Sequence, residues 1–143
     1  MLLVCVVLSG CVHNVTGPVR TPTTYEHKAA ATASTAASSV ATVDLAMQTA
    51  EAGDAFATYL SVLISNAEDE LAAATSTFSA IEPPDDSSLA VRAELLDILS
   101  DATDAVAAAR IAVRNSTDAD YAELIDALNQ AGNRLQDFEV RFK

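Results

Sequence analysis

Glu94, Asp97, Asp101 and Asp104 recur at spacings of three, four and three residues. On a helix that spacing lines them up on one face, where their oxygens could collect a hard divalent cation. Leu95, Leu99 and Val106 occupy the opposite arc of the same segment, so the row is expected to be a solvated face and no metal ligand is assigned. Histidine offers little more. His13 and His27 stand apart, the Glu-x-x-His motif of di-metal carboxylate bundles is missing, and no Cys/His spacing suits zinc. Gly-x-Ser-x-Gly and glycine-rich phosphate loops are also missing, and neither histidine is placed to serve a core serine as base. The expectation is a non-enzymatic chain with no catalytic residue and no cofactor.

One exposed motif is distinctive. Pro83 and Pro84 stiffen a turn that continues into Asp85 and Asp86, and a turn of defined shape is a candidate contact point for a partner. The simpler reading of the same turn is a stiff connector between two helices. Three bases, Arg92, Arg110 and Arg114, fall on another flank of the segment that carries the acids, within reach of acids on a neighbouring helix. Exposed pairs of that kind contribute under about 1 kcal/mol each.

These residues need a scaffold, and composition says which. Over 143 residues, enough for one domain with a core, half are apolar, but alanine supplies much of that half and aromatics only 5%. Alanine loses no side-chain entropy on entering a helix, and four glycines and four prolines leave long segments unbroken. The net charge of −12 removes the attraction to phosphate that nucleic-acid binding relies on, so DNA and RNA are excluded as partners. Between Ala29 and Val91 there is no Lys or Arg, so that half repels anionic lipid head groups as well.

Apolar residues at threes and fours then predict four helices, at about 24–51, 54–81, 88–114 and 118–142. The first seam runs Tyr25, Ala29, Ala33, Ala36, Val40, Val43, Met47, Ala50, opened by a Thr23/Glu26 capping box and closed at Gly53. The uncharged stretch Ala29–Val43 also admits a low-complexity stalk, but its seam favours helix. The second runs Phe56, Leu60, Leu63, Ala67, Leu71, Ala74, Phe78, Ile81, with Ile64 beside it, after an Asp54 cap. The third takes Leu95, Leu99, Ala102, Val106, Ala109, Val113 after a cap at Ser87 or Ser88, flanked by Val91, Ile98 and Ala105. The fourth takes Tyr121, Leu124, Leu128, Ala131, Leu135, Phe138, Phe142, opened by Thr117 or Asp120. Matched lengths of roughly 26 residues and short loops predict an all-α, up-down-up-down four-helix bundle over residues 24–143. Small residues on the first helix, and Gly132 on the fourth, are expected to let backbones approach closely.

The first ten residues differ in kind. Leu2–Leu8 is an apolar run too short to span a bilayer, and it ends in Leu8-Ser9-Gly10-Cys11. That tetrad resembles the lipobox of bacterial lipoproteins, although no Lys or Arg stands between Met1 and the run. The resemblance implies export, removal of residues 1–10, acylation of Cys11 and anchoring to the outer face of the bacterial cell membrane. Residues 11–23, with Pro18 and Pro22, then form a flexible tether. The leader, the Ala-rich helices and the Phe78–Asp85 segment are together similar to small helical lipoproteins of actinobacteria, a likeness that carries no activity. The expected role is a membrane-anchored helical module that binds an envelope protein or scaffolds the envelope. The alternative is a small-ligand-binding or sensing bundle, with an apolar or cationic molecule held where alanines leave room.

Overall fold

The computed structural model describes residues 21–53, 56–115 and 121–143. Four helices follow in order: α1 (Pro22–Ala52), α2 (Ala57–Ser79), α3 (Asp86–Asn115) and α4 (Tyr121–Phe142). Cross-helix pairs fix the directions. Tyr25 stacks on Phe78 and Ser39 meets Glu70, so α1 and α2 run antiparallel. Glu68–Arg110 sets α2 against α3, Asp97–Arg134 sets α3 against α4, and Asp44–Asn129 sets α4 back against α1. The chain is an all-α, up-down-up-down four-helix bundle, with no strand among the described residues.

Its cross-section is a rhombus rather than a square. α1 touches the other three helices and is closest to α4, α3 also reaches α1 across the short diagonal, and α2 and α4 do not meet. Alanine explains the short diagonal. Ala29, Ala33 and Ala36 on α1 and Ala102 and Ala109 on α3 are fully buried, and side chains that small bring backbones together. Space alone does not require glycine at position 132, because a methyl there would sit 3.7 Å from Val40 Cγ1, an ordinary contact. Ala29–Val43 lies wholly within α1 and is no stalk. Its Thr32, Thr35, Ser38 and Thr42 hydroxyls each donate to the carbonyl four residues back, which satisfies them inside the helix.

The seams hold with few departures. Every α1 position expected inside is buried except Ala50, which is half-buried, and all six α3 seam positions are buried. On α2 the core turns towards Ile64 rather than Leu63, and on α4 Leu128, Ala131, Leu135 and Phe138 form the buried centre. Phe56 is the error: it is 88% exposed, because α2 begins one residue later and Phe56 stands at its N-cap. The lengths also differ from the expected match, at 31, 23, 30 and 22 residues.

Helix ends follow local hydrogen bonding. Thr21, not Thr23, caps α1: its extended backbone lets Oγ1 accept from the Thr24 amide at 3.2 Å, with Pro22 in the first turn where no amide is needed. α1 stops at Gly53, whose φ of 73° allows its N–H to reach the Ala50 carbonyl at 3.1 Å. Asp54, Thr117 and Asp120, expected as caps, lie outside the described residues.

Candidate functional site

The turn from Ala80 to Asp85 brings Pro83, Pro84, Asp85 and Asp86 together between α2 and α3, with Pro83 half-buried and the other three exposed. Asp85, rather than Ser87 or Ser88, is the cap of α3. Its Oδ1 accepts from the Ser88 amide and the Ser87 hydroxyl, both at 2.8 Å, and its carbonyl accepts from the Leu89 amide at 3.2 Å. Aspartate wins because its Oδ1 lies at the right reach for that amide, while Ser88 is buried and Ser87 turns back to Asp85. Arg92 closes the turn from the other side, donating to the Ser79 carbonyl at 2.6 Å and the Ile81 carbonyl at 2.7 Å. The first is an orphan carbonyl at the end of α2 and the second lies in the turn beyond it, and a guanidinium is suited to bridge the two. Arg92 thus joins backbone rather than the neighbouring acid expected of it.

The Ser88 amide first, and the Ser87 hydroxyl with it, hold the Asp85 carboxyl below the ordinary carboxylate range. A lowered folded pKa contributes stability that is complete above the ordinary aspartate pKa and drains away as pH falls from there through the lowered folded value. Asp85→Ala is therefore expected to lower the melting temperature at neutral pH and to flatten its decline below about pH 4. Asp85→Asn keeps a capping oxygen but not the charge, so it should lose less than Asp85→Ala at neutral pH while flattening the acid limb equally. Melting curves across pH check both, and an unchanged acid limb in Asp85→Asn would refute the assignment.

All four residues of the acidic row are exposed, as the helical arc suggested, and three of them pair with bases of α4. Arg134 of α4 bridges Asp97, at 2.9 Å, and Asp101, and Arg141 reaches Glu94. The hydrogen bond that Arg134 donates to Asp97 is the chief cause that holds its guanidinium further into the charged form. Among the described residues no three His, Cys, Asp or Glu side chains converge to hold a metal ion. Arg110 pairs with Glu68 of α2 at 2.8 Å, as its flank suggested, while Arg114 ends α3 exposed. His27 is exposed, and His13 and Cys11 lie outside the described residues. No described helix is long and apolar enough to cross a membrane.

Sequence reasoning missed a surface on α2. Tyr59 is 62% exposed and Val62 57%, in the two turns after Phe56. Together with Thr42 of α1 and Leu63, Asn66 and Glu70 of α2 they line a groove of about 310 Å³. A signal existed: Phe56, Tyr59, Leu63, Asn66 and Glu70 repeat at three and four beside the core seam. It merged with the core seam because the two stripes share a flank.

On the α1–α4 side, burial raises the Asp44 carboxyl pKa against the opposing bond from Gln48, at 2.7 Å. Compared with protein-family models, curated proteins and solved structures, the chain finds no match in any of the three.

Proposed function

We propose that the chain is an exported lipoprotein, held at the outer face of the bacterial membrane by acyl chains on Cys11. Its helical body binds a protein partner or scaffolds the envelope and catalyses no reaction. The observation that carries this reading is the tetrad Leu8-Ser9-Gly10-Cys11 directly after an apolar run too short to span a bilayer. The exposed Phe56, Tyr59 and Val62 support the binding half, since adjoining large apolar side chains left in water mark interaction surfaces.

The antiparallel order gives the reading a direction. The start of α1 and the turn at Pro83, Pro84, Asp85 and Asp86 share one end of the bundle, so a tether entering at Pro22 turns that end to the membrane. In this reading the turn meets a partner close to the bilayer, and the end with Gly53 and Phe56 reaches outward. Each buried methylene contributes about 0.8 kcal/mol, so several acyl chains hold the chain without a basic patch.

Intact mass after expression in a bacterial host tests the anchor. The expected mature protein starts at Cys11 and carries the added mass of a diacylglyceryl group, whereas Cys11→Ser carries no lipid and leaves the detergent phase on partitioning. A wild-type chain of unmodified mass would overturn the anchoring.

A further inference from the structure

α2 carries two parallel stripes. The inner one, Leu60, Ile64, Ala67, Leu71 and Phe78, closes on α1 and α3. The outer one, Phe56, Tyr59, Leu63, Asn66 and Glu70, repeats at three and four residues, the spacing by which one helix presents a seam to another. Val62 adjoins it, and Thr42 of α1 forms the facing wall of the groove with a small side chain. Leu63 is half-buried against the core, while Phe56, Tyr59, Val62, Asn66 and Glu70 are exposed, so no described helix covers the stripe at those positions.

Its chemistry changes along its length. Phe56, Tyr59 and Val62 are exposed apolar side chains, and two turns further on stand Asp69 and Glu70, both exposed. Glu70 also accepts from Ser39 at 3.4 Å. From Ala29 to Val91 the chain holds no base, so nothing on α1 beyond Lys28 or on α2 supplies a countercharge to this acidic end. A second copy offering the same face would bring acid to acid in a chain of net charge −12.

We propose that the groove between α1 and α2 docks an amphipathic helix of a partner protein, whose apolar stripe covers Tyr59 and Val62 and whose Lys or Arg meets Glu70. This rests on the partner-binding reading above and names the partner's chemistry. Helix-in-groove recognition uses apolar anchors at i, i+3, i+4 and i+7, which matches the outer stripe. The base adjusts register and association rate, and the apolar anchors hold the complex.

The probe is a synthetic three-heptad helix of leucine and lysine, titrated against the full chain in detergent. Its leucine–glutamate counterpart and a scrambled leucine–lysine peptide that forms no apolar stripe are the controls. The leucine–lysine helix should bind and both controls should bind at least about tenfold more weakly. Tyr59→Ser with Val62→Ser leaves the charge unchanged and should weaken binding on the order of tenfold or more. Glu70→Lys should weaken it too and reduce its dependence on salt. All three positions are solvent-facing or groove-lining, so far-UV circular dichroism should match the parent chain.

Equal binding of the scrambled peptide, or full binding by the Tyr59/Val62 double variant, would show unspecific attraction to an acidic protein and overturn the proposal. A dimer in sedimentation velocity that the same double variant dissolves would also overturn it, assigning the surface to a second copy. A chain that carries lipid on Cys11 yet ignores the peptide would sink the groove and leave the anchor standing. One that binds the peptide but carries no lipid would do the reverse.

Discussion

Replacing Phe78 with alanine is expected to lower the unfolding free energy by about 3–5 kcal/mol, measured by chemical denaturation. Phe78 is fully buried in the last turn of α2, with its ring centroid 5.5 Å from that of Tyr25, itself fully buried. α2 has only five buried residues, and Phe78 is the largest of them. Truncation removes the transfer free energy of the ring and leaves Tyr25 facing a void that two helix ends cannot close. For a domain this size total stability is about 5–15 kcal/mol, so the loss is a large share. Phe142→Ala, at a half-buried position against Phe138, should cost clearly less. A loss below about 1 kcal/mol for Phe78→Ala would mean that the end of α2 does not pack on Tyr25.

Adding mass to α1 should be harmful in the same sense. Ala36→Leu is expected to destabilise by about 1–3 kcal/mol, although leucine is nearly as good a helix former and more apolar. Ala36 is fully buried where α1 lies against its neighbours, and three further carbons there push helices apart or force strained rotamers. Ala31→Leu places the same change on the exposed side of the same helix and should stay within about 0.5 kcal/mol of the parent. Equal effects at the two positions would contradict the close approach of α1.

The seams of α1 and α3 were readable residue by residue, because a helix that buries one side must repeat apolar residues every three or four positions. The unequal helix lengths and the caps were harder. Thr21 and Thr23 are both competent caps, and the choice depends on where Pro22 fixes the first turn. Phe56 continued the rhythm one step beyond the helix that carries it, so periodicity placed it inside. Partners of the acidic row were not readable at all. Whether Asp97 meets Arg134 depends on the relative slide of α3 and α4, which no local pattern contains. The outer stripe of α2 was written in the sequence, but only the packing shows which of two adjacent stripes is left uncovered.

The separation of α2 from α4 has a mechanical consequence. α1 and α3 each touch both α2 and α4, which do not touch one another. Strain or stiffening introduced on α2 or α4 reaches the other only through that pair, so substitutions at Leu60 and Leu128 should sum independently while those on α1 propagate to both sides. A load taken up along α2 therefore reaches the Arg134 and Arg141 clasp of α4 only by way of α1 or α3.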